Sequence, residues 1–305
     1  MIIRQILCPV DFSDASAHAV DQGVVLARWY GARITALHVD TAVGARVGGL
    51  TYPDVQALTL ESAERQRLED RVATFCQAAA AAGVAVDVRV VLGHPVAAIL
   101  DHSASLGADL IVMGTHGVSG FQHLVLGSVT EKVLRRATCQ VLTVPPRAQA
   151  TSTLPFKRLL CAVDFSEPSL EAVRVAGSLA GEAGARLVLM HVLEWPWHEP
   201  PPPRLADLPE TQAAALADYR RYLETTATAR LESTASTDVP HGTAVVVRVA
   251  HGKPYEQLLV AAREDGADLI VLGVHGRSAL GLGVFGSTTN QLVRAATCPV
   301  LTVRG

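Results

Sequence analysis

Gly107-Ala-Asp-Leu-Ile-Val-Met-Gly-Thr-His-Gly117 and Gly266-Ala-Asp-Leu-Ile-Val-Leu-Gly-Val-His-Gly276 are one phrase written twice, 159 positions apart. In each copy a short apolar run stands between glycine breakers, which reads as a buried strand. Nine residues after Gly117 comes Gly127-Ser128, and nine after Gly276 comes Gly286-Ser287. A Gly-Ser pair before a helical pattern reads as a helix start. Strand, glycine turn and helix entrance therefore follow one another twice.

The duplication extends outward from this phrase. Ile6-Leu-Cys-Pro-Val-Asp-Phe-Ser13 returns as Leu159-Leu-Cys-Ala-Val-Asp-Phe-Ser166, and Leu37-His-Val39 as Met190-His-Val192, both 153 positions on. Ala137-Thr-Cys-Gln-Val-Leu-Thr-Val144 returns as Ala296-Thr-Cys-Pro-Val-Leu-Thr-Val303, 159 positions on. Six extra residues therefore entered the second copy between His191 and Gly252, and the proline-rich Trp195–Pro203 is the expected place. Domains are expected at 1–146 and 155–305, with a linker over 147–154.

Within the first copy, strands are expected at Ile2–Val10, Ile34–Val39, Val84–Leu92, Leu110–Met113 and Val141–Val144. Helices are expected from Ser13 to Tyr30, on the Leu68, Val72, Phe75, Ala79 face ending before Gly83, from Pro95, and after Gly127. Leu216, Tyr219 and Leu223 mark the long helix of the second copy. Near-continuous apolar strands alternating with helices imply a parallel sheet covered on both faces. The fold class is α/β: two doubly wound, Rossmann-like domains.

Of the 305 residues, 49% are hydrophobic, enough for two cores and against general disorder. Lys and Arg number 26 against 29 Asp and Glu, so no strong positive field exists for nucleic acid or an anionic membrane. No apolar stretch is long enough to span a bilayer, and no secretory signal is expected. Five cysteines form no C-x-x-C pair and an odd number cannot all pair, so core filler and a cytoplasmic setting are expected.

The chemistry resides in the glycine turn. Ligands of parallel α/β sheets bind outside the carboxyl ends of the strands. Glycine lets the backbone approach a ligand, and the unpaired N–H groups at a helix entrance suit a phosphate. Ser128 and Ser287 add a hydroxyl each. The duplicated pattern asks for an anion cradle; retention of the turn without a ligand is the competing account.

Both halves resemble the universal stress protein family in its ATP-binding branch, whose signature is G-x2-G-x9-G-[ST]. The likeness covers residues 1–146 and 155–304. It implies five-stranded sheets of order 3-2-1-4-5, bound ATP with or without Mg²⁺, and halves that pair as a family homodimer does. That pairing would set Val141–Val144 antiparallel to Val300–Val303, apolar edge strands that need covering in any case. By the same resemblance, adenine lies against Pro9, Val10 and Val39, with Asp11 near the ribose or a phosphate-bound metal. The triphosphate meets Met113, Gly114, Gly117, Gly127, Ser128 and Val129. The second set is Ala162, Val163, Asp164, Val192, Leu272, Gly273, Gly276, Gly286, Ser287 and Thr288. Ala162 in place of Pro9, and Lys253 in place of His94, set the two sites apart.

Other candidates give less. Asp11 and Asp164 compete with Ser13 and Ser166 for capping the next helix. His116 and His275 lie inside the glycine turn, where they either meet phosphate or pack locally. His38 and His191 read as structural, and Trp195 and Trp197 as a self-packed lid or a partner contact. Gly252-Lys253-Pro254 lacks the rest of a P-loop, and Gly276-Arg-Ser-Ala-Leu280 misses a G-x-S-x-G elbow. Neither a metal cluster nor an activated thiol is legible. An ATP-binding stress-response protein that acts as a nucleotide-responsive interaction module, through a protein partner not identifiable from sequence, is the favoured function. A slow ATPase or phosphotransferase, and a nucleotide-free scaffold, are the alternatives. Pairing of whole chains stays open beside the intramolecular pairing of the repeats.

Overall fold

The computed structural model describes residues 2–41, 62–115, 126–146, 156–194, 210–274 and 286–304. The first half runs β1 (Gln5–Pro9), α1 (Asp14–Tyr30), β2 (Arg33–Asp40), α2 (Ser62–Phe75), α3 (Gln77–Ala81), β3 (Val86–Leu92), α4 (Pro95–Ser105), β4 (Leu110–Gly114), α5 (Ser128–Arg136) and β5 (Gln140–Val144). The second runs β6 (Arg158–Ala162), α6 (Glu167–Ala183), β7 (Arg186–Leu193), α7 (Glu210–Asp238), β8 (Ala244–His251), α8 (Pro254–Glu264), β9 (Leu269–Gly273), α9 (Ser287–Ala295) and β10 (Val300–Val303).

The strands form one ten-stranded sheet in the order β3-β2-β1-β4-β5-β10-β9-β6-β7-β8. Each half thus has the order 3-2-1-4-5 counted from its outer edge, and its neighbours are parallel. The exception is the seam, where β5 and β10 run antiparallel with Leu142 opposite Leu301. The two expected five-stranded sheets are therefore halves of a single one, joined by the edge strands that needed covering.

Alternation along each strand sends side chains to opposite faces, and each face carries a core that crosses the seam. Ile6, Cys8, Val112 and Leu142 share one core with Cys161, Val271 and Leu301, under α1, α2, α3, α6 and α7. Leu7, Ile111 and Val141 share the other with Leu160, Ile270 and Val300, under α4, α5, α8 and α9. Across the seam Thr143 Oγ1 donates to the Val300 carbonyl at 3.2 Å and Thr302 Oγ1 to that of Val141 at 3.0 Å. Arg304 Nη2 donates to the Leu134 carbonyl at the end of α5, 2.5 Å away. Tyr30 donates to Glu182 at 2.8 Å, linking α1 to α6.

The aspartate of each repeated phrase has a structural task. Asp109 Oδ2 accepts from the backbone N–H groups of Arg4 and Gln5, at 2.7 and 2.9 Å. Asp268 does the same for Lys157 and Arg158, at 2.7 and 3.0 Å. Each pins the start of one central strand to the other.

Several expectations are corrected. Ile2 to Arg4 lie outside β1. The single helix expected up to Gly83 is two, broken at Cys76, whose backbone (φ −96°, ψ 12°) leaves the helical region. Tyr219 is 53% exposed, so the buried face of α7 is set instead by Ala227 and Leu231. The linker, the proline-rich segment 195–203, and Gly117, Gly276, His116 and His275 lie outside the described residues. All five cysteines are free, and only Cys139 is not buried.

Candidate functional site

The site begins at the turn between the first strand and first helix of each half. Asp11 Oδ1 accepts from the Ser13 N–H at 3.0 Å and from its hydroxyl at 2.5 Å. Asp164 Oδ1 accepts from Ser166 in the same way, at 2.9 and 2.5 Å. Ser13, not Asp11, is the N-cap of α1, its Oγ accepting from the Ser16 N–H at 3.2 Å. The aspartates thus shape the turn that carries them.

Between aspartate and serine stands a phenylalanine in the left-handed region: Phe12 at φ 64° and Phe165 at φ 62°. That conformation costs an L-residue about 1–2 kcal/mol. Each ring lies between a histidine and an arginine. Phe12 meets His38 at 4.6 Å between centroids, and the Arg71 guanidinium stands 3.9 Å over it. Phe165 meets His191 at 4.7 Å, with Arg230 at 4.0 Å. An exposed cation–π contact contributes about 0.5–1 kcal/mol, so the stack offsets much of the strain. The structural reading of the two histidines holds: Nδ1 of His38 donates to the Val10 carbonyl at 2.8 Å, and that of His191 to Val163 at 2.6 Å.

The second component is the entrance of α5 and of α9. A Cβ on Gly114 would lie 2.9 Å from the carbonyl oxygen of Ala15, and one on Gly273 would lie 2.9 Å from that of Pro168. These two glycines are required by helix packing on the strand ends, independently of any ligand. Gly127 and Gly286 are N-caps with no side chain to accept from the helix. The first intrahelical donors are the N–H groups of Glu131 and Asn290, so the three preceding amides in each helix have no intrahelical partner. Thr130 and Thr289 clamp the helix entrances to the strands, donating to the carbonyls of Gly114 at 2.8 Å and Gly273 at 3.3 Å.

In the second half these parts enclose a cavity of about 550 Å³. Ala162, Val163, Asp164, Val192, Leu272, Gly273, Gly286, Ser287 and Thr288 all line it, and of the second set only Gly276 lies outside the described residues. Apolar side chains from β6, β7, α7 and α8 line it together with the first turn of α9, where Ser287, Thr288 and Thr289 lie. The described lining carries two carboxylates, Asp164 and Glu194, and neither lysine nor arginine. In the first half, Val10 and Met113 are buried, Pro9, Val39, Gly114, Gly127 and Val129 half-buried, and Asp11 and Ser128 exposed, at the equivalent strand ends and helix entrance.

Spacing alone gave no sign of Leu223, Pro254 and Leu258, which reach the cavity from α7 and α8. Nor did it single out Arg71 and Arg230, although their common offset of 159 was a usable signal. Burial pushes the thiols of Cys8 and Cys161, on the strands beneath the site, far above the usual range, so neither is a nucleophile at neutral pH.

Comparison with known proteins agrees with this geometry. A family model described as "Universal stress protein family" matches residues 3–145 and 155–304. A universal stress protein of Thermus aquaticus is 38% identical over 149 residues, 49% of this chain and 99% of that protein. One of Mycobacterium bovis is 26% identical over 298 residues, 97% of this chain and 95% of its own length. The crystal structure of a universal stress protein from Archaeoglobus fulgidus shares the fold, with a TM-score of 0.66 at 24% identity, covering 98% of this chain and 96% of that one. Two consecutive matches and a tandem relative of full length place the chain in the universal stress protein family.

Proposed function

We propose that each half binds an adenine nucleotide, ATP foremost, and that occupancy is read by a protein partner in a stress response. The observation that carries this reading is the second-half cavity, lined both by apolar side chains and by the first turn of α9, whose entrance no side chain caps. Its volume of about 550 Å³ suits a ligand of nucleotide size. The apolar side chains suit a flat base, and the α9 entrance suits a phosphate chain. The duplicated β1–α1 and β6–α6 turns support a second site of the same kind in the first half.

Because the described lining carries Asp164 and Glu194 but no cation, a triphosphate needs its charge met from elsewhere. Among the described residues no three His, Cys, Asp or Glu side chains gather to hold a metal. A magnesium ion brought in on the phosphates would find carboxylate oxygens on Asp11 in the first half and on Asp164 and Glu194 in the second. Full-length protein purified without nucleotide and heat-denatured is expected to release ATP or ADP. Titration calorimetry is expected to give tighter ATP binding with Mg²⁺ than with EDTA, and an adenosine affinity indifferent to the metal. Absence of released nucleotide together with no heat from any adenylate would refute the proposal.

A further inference from the structure

We infer that Arg71 and Arg230 are positioning residues, which hold the turns bearing Asp11 and Asp164 in the form that receives a ligand, acting through Phe12 and Phe165. The inference rests on the nucleotide reading for its functional consequence and on geometry alone for the positioning itself. Three observations carry it.

The first is duplication against divergence. The stacks agree between halves within 0.1 Å in both ring distances, and their phenylalanine–histidine interplanar angles are 48° and 46°. Yet the arginines come from helices of 14 and 29 residues. Beside Arg71 stand Glu69 and Asp70, where the second half has Thr228 and Ala229. The arginine is kept while the two residues before it change.

The second is the conformation restrained. A left-handed phenylalanine persists only while its surroundings hold it; with the arginine gone, the histidine and, for Phe12, the edge of Phe75 at 5.6 Å remain, so the turn relaxes in part. That relaxation would carry along the aspartate on one side and the serine that caps or precedes the helix on the other.

The third is two-sided attachment. His38 and His191 tie the carbonyl two residues before each phenylalanine, from inside the fold. The arginine covers the same ring from outside, and Arg230 is not among the residues that line the cavity. It acts on the site only through the turn.

The test uses the full chain with Arg71→Ala and Arg230→Ala together. A control, Arg67→Ala with Arg221→Ala, removes equal charge from the same helices. Amide hydrogen exchange at Ser13 and Ser166 is read by NMR, and binding of ATP and of adenosine by calorimetry. Faster exchange at both serines is expected, with affinity for both ligands lowered about threefold to fivefold, the scale of one exposed cation–π contact. The control is expected to change neither. Loss confined to ATP would mean a charge effect and overturn the inference, as would unchanged exchange. In a background of Phe12→Gly and Phe165→Gly, the arginine change is expected to add nothing further. Should that background fail to fold, exchange in the Arg→Ala protein decides. If the unaltered chain binds neither ligand, the nucleotide reading falls while the exchange rates still decide the positioning.

Discussion

At the scale of the residue, the described signature glycines divide into two kinds. Gly114 and Gly273 are there because a helix backbone lies against them, with no room for a methyl group. Gly114→Ala or Gly273→Ala is therefore expected to lower stability by about 1–3 kcal/mol, measured by urea denaturation, whether or not nucleotide is present. Gly286 is of the second kind: its backbone (φ −57°, ψ 134°) suits an L-residue, a Cβ there would need Thr289 Oγ1, 3.3 Å away, to give by a few tenths of an ångström, and its value is that it leaves the helix entrance uncapped. Gly286→Asp would place a carboxylate on those amides, as N-cap residues do. Melting temperature is expected to stay within about 3 °C, since replacing glycine by a good cap changes stability by only tenths of a kcal/mol. ATP binding by the second half is expected to fall at least tenfold in calorimetry, because carboxylate and phosphate compete for the same donors. Stability and affinity thus separate two glycines that the spacing pattern treats alike.

At the scale of the element, the two halves differ most in the long helix, of 14 residues in the first and 29 in the second. Leu223 of α7 lines the second cavity, and the matching position in α2, at the repeat offset of 159, is Glu64. Leu223→Ala is expected to weaken adenosine binding several-fold through lost apolar burial of about 1–2 kcal/mol, with calorimetry as the check. Strands and the α1 helix were legible because their signals are local: Ser13 caps, Gly31 at φ 65° stops, and apolar runs lie between. The candidate site was legible where it consists of backbone, in glycine spacing repeated twice. It was not legible where it depends on helices crossing over a cavity, since neither Leu223 nor Leu258 differs in sequence from an ordinary core leucine. The break at Cys76 was hidden for the opposite reason: both sides keep the same apolar face, with Val72 and Ala79 fully buried.

At the scale of the whole molecule, both cores pass through the seam, so the halves are expected to unfold together. A single calorimetric transition with matching van't Hoff enthalpy would bear this out, and two resolved peaks would contradict it. Thr143→Val with Thr302→Val removes two buried donors that cross the seam and is expected to cost about 1–3 kcal/mol in urea denaturation. Alkali should also weaken the fold. Burial raises the Cys76 thiol to about 11 and that of Cys298 to about 12, against an ordinary 9.0. The unfolded chain therefore loses these protons first, and stability present below about pH 9 declines as pH rises towards 12, the order linkage requires. Midpoints of urea unfolding at pH 8 and pH 10.5 test the sign.

An antiparallel junction between two parallel half-sheets has a geometric result. The carboxyl ends of β1 and β4 point one way and those of β6 and β9 the other, so the strand ends that carry the two candidate sites lie on opposite rims of one sheet. No small ligand bridges them, and a flat surface pressed against one leaves the other facing away. A chain of this build is two-ended: its repeats face apart although their cores are continuous.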